Sequence, residues 1–172
     1  LHVEEHEEME KAYACDVNDT AKVKTILEEI FEREKHIDIF INNAGFGIAG
    51  AIENAKPENI YKQVNTNLSA VIALSGLAIP LLKKSAGGNI VNTSSVGGII
   101  PLPYQATYSA TKAGIEIFSR ALANEVKPFK IKVTAVLPGD TKTGFTQNRV
   151  FDKAESETGY DKTVEKSIKK VE

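Results

Sequence analysis

The chain of 172 residues contains a single cysteine, Cys15, so no disulfide can form within it and a reducing setting, the cytoplasm, is expected. Cys15 itself reads as a buried strand-end thiol rather than a reactive one. Neither sign of charge dominates: the net charge is −2 and the basic residues are dispersed, which leaves no electrostatic footprint for nucleic acid. His2, His6 and His36 lack the spacing of a metal site. No run of about 18 apolar residues marks a membrane span, and no signal peptide is apparent. The most apolar stretch, residues 68–82, has Asn67 and Ser69 at its start and Pro80 near its end, and reads as a core helix. Internal repeats, low-complexity tracts and the lysine-bearing phosphate loop of phosphoryl-transfer enzymes are also missing. The acidic run Glu4-Glu5-His6-Glu7-Glu8 reads as a solvated helix face.

What is present is one domain's worth of chain, residues 1–172, with 42% hydrophobic and 26% charged residues, enough for one buried core. Strand and helix signals alternate. Residues 11–17, 37–43, 89–95 and 131–137 read as strands, and 20–35, 57–84 and 107–126 as helices. Short apolar strands joined by helical crossovers predict a parallel sheet covered on both faces, a doubly wound α/β architecture.

Chemistry concentrates around Tyr108 and Lys112. They stand four apart on a predicted helix, so they share a face, and Ser95 lies thirteen residues upstream at the end of an apolar strand. A free tyrosine titrates near 10. One unit charge about 4 Å away, in an effective dielectric of ~20, favours a phenolate by about 4 kcal/mol. The phenol of Tyr108 beside the ammonium of Lys112 is therefore a candidate proton donor and acceptor, and the Ser95 hydroxyl can stabilise charge developing on the same substrate oxygen.

Three further segments keep fixed order with this pair: Asn42-Asn43-Ala44-Gly45 at a strand end, Asn67 in Asn65-Thr66-Asn67-Leu68, and Pro138-Gly139-Asp140-Thr141-Lys142-Thr143 after the last strand. With them the sequence, from Ala14-Cys15-Asp16-Val17 to about Phe145, resembles the classical short-chain dehydrogenases/reductases, with a Rossmann-like fold. The resemblance implies an enzyme that moves a hydride between nicotinamide, as NAD or NADP, and a carbonyl or secondary alcohol. It implies a catalytic tetrad of Asn67, Ser95, Tyr108 and Lys112: Tyr108 the general acid/base, Lys112 its electrostatic partner and a ribose ligand, Ser95 the polariser, Asn67 the anchor of a water relay. It also implies that Asp16, Val17, Asn43, Ala44, Gly45, Tyr108, Lys112, Pro138, Gly139, Thr141 and Thr143 hold the cofactor. Read without it, Asp16 could equally be a helix cap before Asn18-Asp19-Thr20.

The literal G-x-G-x-x-G of Gly45-Phe46-Gly47-Ile48-Ala49-Gly50 is not read as a pyrophosphate loop. In that motif the last glycines open a helix, and here the next helix signal waits until Pro57. Family members begin with a strand, a T-G-x-x-x-G-x-G turn and a second strand, and end with a further strand. None of these is among the present residues, so the chain is expected to be part of a longer polypeptide. Phe46, Ile48, Ile99, Pro101, Leu102 and Tyr104 are candidate walls for a small, uncharged carbonyl or alcohol substrate. The helix at 107–126 carries a stripe of Ile115, Phe118, Leu122 and Val126 and a second line of Ala110, Ala113, Gly114, Ile117 and Ala121, more than one sheet needs. A homodimer or homotetramer through residues 57–84 and 107–126 is expected, as the resemblance also implies. The alternative reading is a catalytically silent cofactor-binding or scaffold relative, or a fragment.

Overall fold

The computed structural model describes residues 11–139, 149–152, 163–164 and 166–167. Three parallel strands form the sheet: β1 (Ile39–Asn42), β3 (Gly88–Thr93) and β4 (Ile131–Val136), in the order β1-β3-β4. Ile39 to Asn42 face Asn89 to Asn92, and Gly88 to Thr93 face Ile131 to Val136. A second parallel pair, β2 (Ile48–Ala49) with β5 (Val150–Phe151), sits among the loops.

The first helix, α1 (Thr20–Glu34), starts where the Asp19 carboxylate accepts from the Lys22 N–H at 3.0 Å, and stops at Lys35, whose backbone is left-handed at φ 58°. Asp19, rather than Asp16, is therefore the cap. After β1 come α2 (Pro57–Val64) and α3 (Ala70–Lys84), joined without a break through a π-helical turn, Asn65–Ser69. By length and composition the whole run Pro57–Lys84 could cross a bilayer. Its Val71, Leu74, Ala78, Leu81 and Leu82 are buried, and Ala78 and Leu82 pack in the core under the sheet. It is a core helix here, as read.

The last long helix is α4 (Ala106–Val126). Its Leu122 and Val126 join Ala78, Leu82, Ile90 and Ile131 in the core, with Phe40, Phe118 and Val133 packed against them. Each right-handed crossover moves the chain the same way across the sheet, β1 to β3 to β4, and that places α3 and α4 on the same face; α1 packs on α3. The opposite face carries Ile39, Ile41 and Val136, which are 55%, 60% and 45% exposed. Among the described residues the expected covering of both faces is thus seen on one.

Residues 11–17 are not the strand that their composition predicts: 11–16 carry no regular element and Val17 sits in a turn. A strand needs a neighbouring ladder, and among the described residues none lies beside this segment. It runs instead along α1, where Lys11 and Tyr13 both donate to the Glu29 carboxylate. Cys15 accordingly is half-buried, not a buried strand end, and its thiol donates to the Asp16 carbonyl.

The core face carries one polar line. Asn42 and Asn92, directly opposite in register, are both buried; the Asn42 Nδ2 donates to Asn92 Oδ1 at 2.8 Å and to Ser75 Oγ at 3.1 Å. Asn92 Nδ2 in turn donates to Ser119 Oγ at 2.9 Å. A hydrogen-bonded chain thus runs from α3 across β1 and β3 to α4, fixing both helices against the strand ends that carry the site.

Candidate active site

In open parallel sheets, ligands bind beyond the carboxyl ends of the strands. Here those ends are Asn42-Asn43 of β1, Thr93-Ser94-Ser95 of β3 and Pro138-Gly139 of β4. Ladder-like bonds extend past the strands, from Ser94 N–H to the Val136 carbonyl at 2.8 Å and from Val96 N–H to the Pro138 carbonyl at 3.1 Å.

Helix α4 is gripped at Lys112. The Lys112 ammonium donates to the Thr93 carbonyl at 2.7 Å, and the Ser94 hydroxyl donates to the Lys112 carbonyl at 2.8 Å. Gly98 sits flush on the same turn: a Cβ there would lie 2.7 Å from the Lys112 carbonyl carbon. These contacts fix the helix phase, so Tyr108, one turn earlier and buried, is presented beside Lys112, whose Nζ is 5.8 Å from the phenol ring centroid. Lys112 is only 4% exposed, and burial pulls its ammonium pKa down from 10.5 to about 8.

Ser95 begins the short 3₁₀ turn Val96–Gly98, and its Oγ accepts from the Gly97 N–H at 3.0 Å. Accepting that bond leaves its own O–H to donate elsewhere. Asn67 is fully buried in the π turn, where its Oδ1 accepts from the Phe46 N–H at 3.0 Å and its Nδ2 donates to the Phe46 carbonyl at 2.9 Å. π turns of this kind occur frequently at functional sites. Gly45 lies in the angle between them: a Cβ added to it would stand 3.3 Å from Asn67 Oδ1 and 3.6 Å from Lys112 Nζ. The structure therefore brings Asn67, Gly45, Lys112 and Tyr108 into one cluster and ties Ser95 to it through its neighbour Ser94.

The remaining predicted residues fall around this cluster. Asn43 is exposed, and its Oδ1 accepts from the Thr93 hydroxyl at 2.9 Å. Ala44 is exposed beside it, and Val17 is half-buried. Asp16 is exposed on a turn; hydrogen bonds from the Asn18 backbone and side chain hold its carboxyl below the usual range. Asn18 also donates to Thr66 Oγ1, linking that turn to the π turn. Pro138 and Gly139 stand at the end of β4, while Thr141 and Thr143 lie outside the described residues. The Gly45–Gly50 segment opens no helix, as the context predicted; it runs through β2 and is pinned by the Gly50 N–H on the Tyr104 carbonyl.

Of the candidate walls, Ile48 and Tyr104 line a small hollow together with Ile60, Gln63 and Thr107. Ile99 and Pro101 are exposed, Phe46 is half-buried, and Leu102 packs where a Gly97 side chain would be. Sequence reasoning missed Gln63, Thr93, Ser94, Gly98 and Asp152. The last ties β5 to the start of α2, accepting from the Lys56 N–H and the Asn59 side chain. Only Ser94, doubled with Ser95 at a strand end, carried a signal that could have been followed.

A parallel sheet whose carboxyl ends gather a buried lysine, a tyrosine one turn away and a serine on the adjoining strand is a Rossmann-like arrangement of the short-chain dehydrogenase type. The profile of the family described as short chain dehydrogenase matches residues 2–154, and the chain belongs to that family. It is 46% identical over 134 residues to a 3-ketodihydrosphingosine reductase from Bacteroides thetaiotaomicron, covering 78% of this chain and 50% of that protein. It is 33% identical to the 3-oxoacyl-[acyl-carrier-protein] reductase FabG from Thermotoga maritima, covering 78% of this chain and 55% of that one. A short-chain dehydrogenase crystal structure from Streptomyces avermitilis superposes with a TM-score of 0.83 at 30% identity, over 94% of this chain and 59% of the other. The chain thus spans about half the length of the relatives it matches.

Proposed function

We propose that the complete protein is an NAD(P)-dependent oxidoreductase acting on a ketone or secondary alcohol, with Tyr108 as its general acid/base. The observation that carries this reading is Lys112, a buried ammonium held on the Thr93 carbonyl one helical turn from Tyr108 and open toward Gly45. A lysine so placed gains little stability from burial, but it supplies positive charge where a phenol oxygen gives up or takes a proton.

The residues present suit a nicotinamide nucleotide at the strand ends. A side chain at Gly45 would crowd Lys112 and Asn67, and its absence leaves room beside the ammonium for a ribose. Lys112, Tyr108 and Asn43 would hold that ribose, with Asp16 and Val17 toward the adenine and Thr141 and Thr143 toward the carboxamide and pyrophosphate. The cofactor supplies the hydride. For reduction, Tyr108 donates its proton to the substrate oxygen, and the Ser95 hydroxyl, oriented by the Gly97 N–H, donates a hydrogen bond to the same oxygen. Lys112 stabilises the negative charge developing on the phenol oxygen, and progressively loses that effect as pH rises through about 8, where its ammonium deprotonates.

The substrate reading is a largely apolar ketone. Ile52, Ile99 and Ile100 are exposed on the connecting segments, and Val150 and Phe151 are exposed on β5. The names of the Bacteroides thetaiotaomicron and Thermotoga maritima relatives both carry a 3-keto or 3-oxo group. We also propose self-association through α2–α3 and α4. Within the chain Gly114 is covered by Leu68, but Tyr61, Ile72 and Ile117 stay exposed on these helices.

Tyr108→Phe in the complete protein tests the proposal. Turnover should drop about 10²–10⁴-fold while nicotinamide affinity stays within a few-fold. Retention of more than a tenth of the turnover would show that Tyr108 is not the proton carrier.

A further inference from the structure

Phe46 is held by more than Asn67. Its carbonyl accepts a second hydrogen bond, from Gln63 Nε2 at 3.2 Å, so one peptide is gripped by two side chains four residues apart on the α2–π-turn run. Gln63 is completely buried, and its Oε1 has no hydrogen-bond partner among the described residues. A buried amide with one end unpaired costs about 1–3 kcal/mol relative to a satisfied one. A leucine of similar volume would fill the same space without that cost. Stability therefore does not account for a glutamine at this position.

What Gln63 supplies is a donor on the Phe46 carbonyl. That carbonyl belongs to the peptide joining Phe46 to Gly47; the peptide before it, joining Gly45 to Phe46, donates its N–H to Asn67 Oδ1, and a Cβ at Gly45 would stand 3.3 Å from Asn67 Oδ1 and 3.6 Å from Lys112 Nζ. Asn67 holds both peptides that flank the Phe46 Cα, accepting from the N–H on the Gly45 side and donating to the C=O on the Gly47 side; Gln63 is a second donor to that C=O and restricts rocking of the Phe46–Gly47 peptide. We propose that Gln63 is a positioning residue, the second arm of a clamp on Phe46 that fixes the Gly45 backbone against Lys112 and so sets the space in which nicotinamide and substrate meet. The hollow behind it, lined also by Ile48, Gly50, Tyr104 and Thr107, lets the amide keep this orientation without crowding.

This inference rests on the oxidoreductase reading, and its test separates the two. In the complete protein, Gln63→Leu should melt within a few degrees of the wild type yet lose about tenfold or more in kcat per nicotinamide-binding site. Gln63→Glu supplies a check that packing alone would not pass. Its carboxylic acid can donate to the Phe46 carbonyl only when protonated, so kcat per binding site should rise, relative to wild type, as pH falls from 8 to 6. A Gln63→Leu enzyme with kcat within twofold of wild type overturns the proposal. So does a Gln63→Glu enzyme whose profile parallels wild type, which decides the matter if the leucine variant does not fold. Tyr108→Phe assayed alongside reports on the underlying reading: if that variant stays active, the proposed chemistry has failed, independently of Gln63.

Discussion

Lys112 Nζ and the Thr93 carbonyl oxygen are 2.7 Å apart, so this buried cation is held by a main-chain acceptor. The charge is oriented, and among the described residues no carboxylate pairs with it. It remains available to a neighbouring phenol oxygen.

That arrangement predicts an unusual alkaline stability. Burial lowers the Lys112 pKa from 10.5 to about 8, so between those values the unfolded chain holds a proton that the folded chain has released. By linkage, this group makes folding more favourable as pH rises through that window, and contributes no slope below it. Urea denaturation of wild type and Lys112→Met, both without cofactor, should show the wild type gaining on the order of 1–2 kcal/mol relative to the variant between pH 7 and 9.5. Parallel curves would mean that Lys112 titrates as an ordinary lysine.

Two glycines should respond in opposite directions to alanine. At Gly98 the new Cβ would meet helix backbone, the Lys112 carbonyl carbon at 2.7 Å and the Ala113 nitrogen at 2.9 Å, atoms that cannot move without shifting α4. Gly98→Ala should cost about 1–3 kcal/mol, as overpacking does, and lower activity by displacing Tyr108. At Gly76, inside α3, a Cβ meets nothing within 4 Å. Gly76→Ala should stabilise by about 0.5–1 kcal/mol through the unfolded state. Thermal melts of the pair check both signs.

The polar line across the sheet should behave as a unit. Asn42→Leu or Asn92→Leu alone leaves a buried amide short of a partner, at a cost of about 1–3 kcal/mol, whereas both changes together should cost less than the sum. A double-mutant cycle by denaturant titration measures the coupling. Additive costs would show that the two amides do not depend on each other.

Gly45→Ala should leave the fold intact and weaken nicotinamide binding. Its Cβ would press on Asn67 Oδ1 at 3.3 Å and stand 3.6 Å from Lys112 Nζ, filling the space assigned to the ribose. Titration with NADH and NADPH, by fluorescence, should show affinity reduced by about tenfold, equivalent to about 1.4 kcal/mol. Unchanged affinity for both would move the ribose away from Gly45.

The sequence by itself determined the elements whose patterns are local. Ile39–Asn42, Gly88–Thr93 and Ile131–Val136 are strands and Thr20–Glu34 and Ala106–Val126 are helices, within two residues or so of their reading, because apolar period and capping act over one or two turns. Helical spacing likewise placed Tyr108 beside Lys112. Tertiary structure decided whatever depends on a distant partner. Residues 11–17 have the composition of a strand, but among the described residues they find no ladder to join. Asn67 reaches Phe46 from a π turn that no local preference for α-helix announces. Gln63, Ser94 and Gly98 are ordinary residues in the sequence, and each acquires its place only when folding sets it against the Phe46 carbonyl or the Lys112 turn. Side-chain periodicity encodes which face of an element is buried; it does not encode which backbone group will stand opposite, since that depends on how separate elements pack.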